Sequence, residues 1–284
     1  MLNQTGFAKR FLLLVTPIVT SSALVPLALS IATPPSLAAT LASSKAEFDI
    51  DIFSHKPLEI KTLTDTNTFT DATSDQATAE ADAFAEFITN PLPPSASNSS
   101  FSTASGDGRN YIGEAESVAA VIGYNFLVEE GETFAFNFKG FLDLKTSIDT
   151  PQTESASAYG DLSLVLFDNT NKNTLGSFTL FGDLTTLGDN DYLDYESESI
   201  SFNPTIDTSF GGPQEFAKAS IEGNFSRTFD SATSLTLVEA KRNQANVAAV
   251  PEPSTVLASL LFCLAGIGYK MRSKVFGAKS NLAQ

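Results

Sequence analysis

The chain has one cysteine, Cys263, and it sits in an apolar stretch near the C-terminus. The 200 or so residues before that stretch therefore have no disulfide to hold them together, and their stability has to come from an apolar core. No cysteine follows the N-terminal apolar region either, which excludes a lipoprotein anchor. Tryptophan is absent and His55 is the only histidine. Paired-histidine metal motifs are thus excluded, and a histidine base would need a nucleophile and an orienting carboxylate brought to this one ring. There is no Gly-x-Ser-x-Gly elbow. Gly106-Asp107-Gly108 is a turn signal and not a phosphate loop, because no Lys-Ser/Thr follows it.

Positive charge is also scarce. Between residues 43 and 250 the chain carries 11 Lys and Arg against 32 Asp and Glu, a formal charge of 11 − 32 = −21, against −16 for the whole chain. Such a surface repels phosphate backbones and argues against nucleic acid as a partner. It suits an exported soluble body, or one that meets divalent cations.

That body reads as β. Phe48, Ile50 and Ile52 alternate with Asp49 and Asp51, and a second extended piece, Leu58 to Leu63, follows Pro57. Gln76 to Ile88 places alanine or phenylalanine at every second position from Ala77 to Phe87, a strand period over a composition that also fits a helical stripe. The alternation favours strand. Residues 91–109, with Pro93, Pro94, many serines, Gly106 and Gly108, read as a flexible loop or linker. An apolar run from Val118 to Val128, the turn Glu129-Glu130-Gly131-Glu132 and the returning Phe134, Phe136, Phe138, Leu142 and Leu144 read as a hairpin. Leu162, Leu164 and Leu166 lead through a turn at 168–173 to Phe178 and Leu180. Further strands are expected over 217–229 and from Leu235. Short strands without βαβ units predict a mainly β chain, an antiparallel β-sandwich with phenylalanine as its main filler. The expected layout is a signal peptide over 1–39, N-terminal strands over 43–90 that belong to the main domain or precede it, the loop or linker, and a sandwich body over 110–249.

The two ends are more specific. Lys9 and Arg10, an apolar region interrupted by Pro17 and Pro26, and small residues at Ser36-Leu37-Ala38 or Leu37-Ala38-Ala39 form a secretory signal peptide, with an uncleaved signal anchor as the alternative. At the other end Val250-Pro251-Glu252-Pro253-Ser254-Thr255 is a rigid polar elbow. It leads into an apolar helix reaching Tyr269, and Lys270, Arg272 and Lys274 follow as a basic stop. This order resembles the PEP-CTERM sorting signal of Gram-negative bacteria and cyanobacteria. The resemblance implies export through the Sec translocon, cleavage by signal peptidase, and recognition of Pro251, Glu252 and Pro253 by an exosortase-like membrane protease. The tail, running on to Gln284, is longer than that pattern usually shows, and residues 275–284 are expected on the cytoplasmic side. The alternative is a plain anchor. At 1.5 Å per residue, residues 254–269 span only about 24 Å as a helix, short of a hydrocarbon core of about 30 Å. Both ends place the body outside the cytoplasmic membrane.

Within the body, Asp189, Asp191 and Asp194 are the candidate calcium ligands, because calcium takes clustered carboxylate oxygens. EF-hand spacing fails there, and a metal-free acidic loop is the default. Asp183 and Asp168 would add oxygens if folded nearby. Tyr111, Tyr124, Tyr159, Tyr192 and Tyr195 are the rings available to stack on a sugar, with Tyr192 and Tyr195 singled out by the acidic loop beside them. Glu129, Glu130 and Glu132 imitate a hydrolase carboxylate pair, yet they sit at an expected hairpin tip, where solvated charge is the normal choice. The expected function is a non-enzymatic structural or adhesive protein of the envelope or exopolysaccharide matrix. The alternative is an extracellular carbohydrate- or calcium-binding β-sandwich module.

Overall fold

The computed structural model describes residues 40–249, apart from Ser74, Pro91, Leu187 and Asp189. Twelve strands run in chain order: β1 (Thr40–Asp51), β2 (Glu59–Ala72), β3 (Gln76–Ile88), β4 (Ser95–Asp107), β5 (Tyr111–Val128), β6 (Thr133–Ser147), β7 (Glu154–Asp168), β8 (Asn173–Thr185), β9 (Tyr192–Glu198), β10 (Ser201–Ser209), β11 (Gln214–Thr228) and β12 (Thr233–Ala249). They form two six-stranded antiparallel sheets. The first has the order β10-β11-β6-β1-β4-β3 and the second β2-β5-β12-β7-β8-β9. Residues 1–39 and 250–284, expected as signal peptide and sorting tail, lie outside the described residues.

Period-two alternation puts one side chain in two between the sheets. In β6, Phe134, Phe136, Phe138, Leu142 and Leu144 point inward and are buried. Phenylalanine fills the middle of this core. Phe138 stacks on Phe178 of the other sheet at 5.2 Å between ring centres and on Phe48 of β1 at 5.6 Å, and Phe53 stacks on Phe126 at 5.5 Å. Truncating one of these rings to alanine would cost about 3–5 kcal/mol. A smaller apolar cluster of Ala42, Ala104, Tyr111, Ile148, Ala156, Ala245, Val247 and Ala249 closes one end of the sandwich.

Two expectations fail. The stretch read as a loop or linker is a strand: β4 pairs with β1 on one side and β3 on the other, over its whole length. Its inward residues are small, Ala96, Asn98, Ser100, Ser102 and Ala104, and the side chains of Asn98 and Ser102 bond across the core. No local sequence rule sees those partners. The turn at 129–132 does not close a hairpin either. β5 pairs with β2 and β12, and β6 pairs with β1 and β11, so the chain crosses here from one sheet to the other. Gly131, at φ 81°, donates its N–H to the Phe229 carbonyl (2.7 Å) and ties this corner to the next crossing. Alternation has the same period in a hairpin and in a crossing, and the sequence cannot tell them apart.

β1 and β12 are both interior strands, and both leave the body at the same end. Ala249 lies opposite Tyr111 in the β12–β5 register. The Tyr111 hydroxyl donates to Thr40 Oγ1 at 2.6 Å, and its ring leaves no room for a Cβ at Gly106, the register partner of Thr40. Thr40 and Ala249 therefore share one pole. Loops 108–110, 148–153 and 210–213 are at that pole, and 52–58, 129–132, 169–172 and 229–232 are at the opposite one. With β12 at 17 residues, the body is roughly 55 Å long.

Candidate functional site

Asp191 and Asp194 of the acidic loop are not brought together. Asp191 Oδ1 accepts the Thr185 N–H at 2.7 Å, and its charge bears on Asp183 and on Glu215 of the other sheet. Asp194 lies further along β9, where its Oδ1 accepts the Tyr195 N–H at 2.8 Å. Asp189 lies outside the described residues, and among those described no three His, Cys, Asp or Glu side chains form a set able to hold a metal ion. Tyr192 and Tyr195, three residues apart in a strand, face opposite sides. Tyr192 meets Phe181 edge-on at 5.8 Å on the outer surface, whereas Tyr195 meets Phe202, a core-edge ring, at 5.3 Å.

On the outer face of the second sheet, strand register assembles what the sequence leaves scattered. One row across the strands reads Glu116, Gln244, Tyr159, Asp183, Tyr192, and the next reads Arg242, Asp161, Phe181, Asp194. Tyr159 donates its hydroxyl to Asp161 Oδ2 at 2.7 Å, so the ring is laid along β7 and fixed. Arg242 Nε donates to Glu116 Oε1 at 2.7 Å, an ion pair at the surface. Burial pushes the Asp161 carboxyl up, opposed by the Tyr159 hydroxyl and the Arg242 charge. Asp183 is raised by burial and by Asp191, and the Tyr159 phenol by burial and by Asp161. The result is a half-buried Tyr159 and an exposed Tyr192 with carboxylate acceptors, an amide and a guanidinium between and beside them. Only cross-strand register shows that these residues are neighbours, and the sequence does not print it.

His55 has both partners that a histidine relay needs. Its Nδ1 is 2.8 Å from Ser54 Oγ and its Nε2 is 3.1 Å from Glu132 Oε2. The same atoms have structural work. Ser54 Oγ accepts the Ala135 N–H at 2.9 Å, Glu132 Oε2 accepts the Glu129 N–H at 3.0 Å, and the imidazole lies against Phe134 at 6.0 Å. The His55 hydrogen bond, and then the Glu129 N–H, hold the Glu132 carboxyl below the usual glutamate value. This is a clasp that fastens the 129–132 crossing to the end of β1.

A buried polar layer lies between β4 and β12. The carboxylate of Glu239 and the ammonium of Lys241 both bond the Asn98 amide, and Lys241 Nζ also reaches the Asn98 carbonyl at 2.9 Å. Asn243 Nδ2 donates to the Ser100 carbonyl at 2.7 Å, and Ser102 and Ser117 share a 2.9 Å hydroxyl contact. Sequence reading missed this pair, although Leu237, Glu239, Lys241, Asn243 and Ala245 keep the inward period of β12 unbroken.

Pro251, Glu252 and Pro253, expected as a sorting motif, and Lys270, Arg272 and Lys274, expected as a basic stop, lie outside the described residues. No family model, no curated protein and no solved structure matches the chain.

Proposed function

We propose that this chain is an exported, non-enzymatic β-sandwich, displayed at the envelope or in the extracellular polymer layer as a structural or adhesive component. The Sec translocon and signal peptidase handle residues 1–39. An exosortase-like protease reads Pro251, Glu252 and Pro253 while residues 254–269 lie in the membrane and Lys270, Arg272 and Lys274 stay inside. The observation that carries the reading is the shared pole of Thr40 and Ala249. A body whose two flanks leave side by side can be held at one end during export and sorting, with its opposite pole roughly 55 Å away. The long strands, the acidic surface and the structural use of Ser54, His55 and Glu132 favour display over catalysis.

The lone Cys263 makes the test clean. Glu130→Cys places one thiol at the pole opposite the termini. In intact cells expressing the full chain, a membrane-impermeant maleimide should label this variant and leave the parent unlabelled. Labelling only after lysis would sink export. Sorting is read separately, by intact mass of the parent from the envelope fraction and by Glu252→Gln. A processed protein lacks Cys263, and the variant accumulates at full length; a plain anchor gives the same full-length mass for both.

A further inference from the structure

The outer face of the second sheet has rings, acceptors and donors in an order that no feature of the core requires. We propose that this face, between Tyr159 and Tyr192, binds a neutral extended polysaccharide of 1,4-linked six-membered rings lying across the strands. The proposal gives the displayed body a ligand, and it rests on the display reading only for its biological setting, since binding is a property of the purified protein.

Tyr159 is on β7 and Tyr192 on β9, with β8 between them, so the two rings are separated by two strand spacings, about 10 Å. Alternate rings of an extended 1,4-linked chain have that separation, and each tyrosine can take the apolar face of one sugar. Both rings are already positioned. Tyr159 is tied to Asp161, and Tyr192 stands against Phe181 with 38% of its surface exposed. Little side-chain freedom remains to be lost on binding. Asp183 lies between the two rings in the same row, with Gln244 on the far side of Tyr159. A sugar hydroxyl both donates and accepts, and this row offers it carboxylate acceptors and an amide of both kinds. Arg242 uses Nε on Glu116 and has its remaining guanidinium N–H groups for a hydroxyl oxygen.

Charge selects the class of sugar. Asp161, Asp183, Glu116 and Asp194 share these two rows with one cation, Arg242, so a polymer of uronic acids is repelled where a neutral one is not. Tyr195 has no part in this platform, because it faces the other side of β9.

The test is affinity electrophoresis of the purified full chain in detergent, in gels containing hydroxyethylcellulose or alginate. Retardation by hydroxyethylcellulose and not by alginate is expected. Tyr192→Ala should weaken that retardation about tenfold, the loss of one ring contact. Tyr159→Phe, which keeps the ring and frees it from Asp161, should weaken it less. Phe84→Ala removes an exposed ring from the outer face of the other sheet and should change nothing. Melting temperatures of the three variants establish that each is folded. No retardation of the parent by hydroxyethylcellulose, equal retardation of folded Tyr192→Ala, or stronger retardation by alginate would each overturn the proposal. Export can fail by maleimide labelling while this binding stands, and binding can fail while export stands.

Discussion

Glu239 and Lys241 stand two residues apart on the inward face of β12, with Oε1 and Nζ 3.2 Å apart and side chains no more than 1% exposed. They occupy the middle of a sandwich whose other inward positions are mostly alkyl or aromatic. Taking both charges out of water costs several kcal/mol per ion, and Asn98 between them recovers part of that through hydrogen bonds to each. The stability of the β4–β12 contact therefore depends on all three residues together.

Removing one member should be far worse than removing all. Glu239→Ala leaves the Lys241 ammonium buried without its counter-charge, and a loss of about 3–5 kcal/mol is expected. The triple change Glu239→Leu, Lys241→Met, Asn98→Leu takes away the charges and the amide that would be orphaned with them, and should restore the parent's stability or exceed it. Urea unfolding of the three proteins gives the answer. If the triple variant is as unstable as the single one, the layer holds the strands in place through geometry that apolar packing cannot replace.

The pH dependence follows from the same pair. Burial raises the Glu239 carboxyl to about 7, with Lys241 and Asn98 opposing, and burial pushes Lys241 down with Glu239 opposing. A carboxyl raised on folding contributes stability that is fully present below the ordinary glutamate value and is lost as pH rises through about 7. Glu239→Gln cannot ionise. Measured against that variant, the parent's melting temperature should fall between pH 5 and pH 8. No relative fall over this interval would mean that attraction to Lys241 outweighs burial.

How far the sequence leads depends on where each residue's partners are. The inward faces of β6, β7, β8 and β11 are legible because every second residue is apolar, and Gln76–Ile88 is a strand for the same reason, even though alanine fills it. β4 hides because Asn98, Ser100 and Ser102 find their partners 141 to 143 residues away, on β12. The outer-face row is hidden for a related reason. Tyr192 is visible as an aromatic beside acids, but Tyr159, Asp161, Arg242 and Gln244 become its neighbours only through the β12-β7-β8-β9 register. Tyr195, next to Tyr192 in any reading by proximity, is separated from it by the pleat.

The Ser54–His55–Glu132 group tests whether composition alone makes a relay. Ser54 Oγ is already engaged by the Ala135 N–H and the imidazole packs on Phe134. Ser54→Ala and His55→Ala should each lower the melting temperature by loosening the 129–132 crossing, and a serine-directed fluorophosphonate should not label the parent. Covalent labelling that His55→Ala abolishes would make this group a nucleophile, and the non-enzymatic reading would fall.

Under the proposed export, Thr40 limits where the mature chain can begin. It is fully buried, its Oγ1 accepts the Tyr111 hydroxyl, and burial holds that phenol up at about 12. Ala42, two residues on, belongs to the apolar cluster that closes this pole. A protein starting at Ser43 loses the first three residues of β1, leaves the Tyr111 hydroxyl buried without its acceptor and opens the cluster; an unpaired buried hydroxyl alone costs about 1–3 kcal/mol. Cleavage of the proposed signal peptide after Ala38 or Ala39 would keep Thr40 and the whole strand. Two fragments ending at Ala249 separate the cases, one starting at Thr40 and one at Ser43. The longer should unfold at clearly higher urea, and Tyr111→Phe in the shorter, which removes the orphaned hydroxyl, should recover part of the difference between them. Equal midpoints would mean that residues 40–42 add nothing to the body, and signal peptidase would then be free to cut past Thr40.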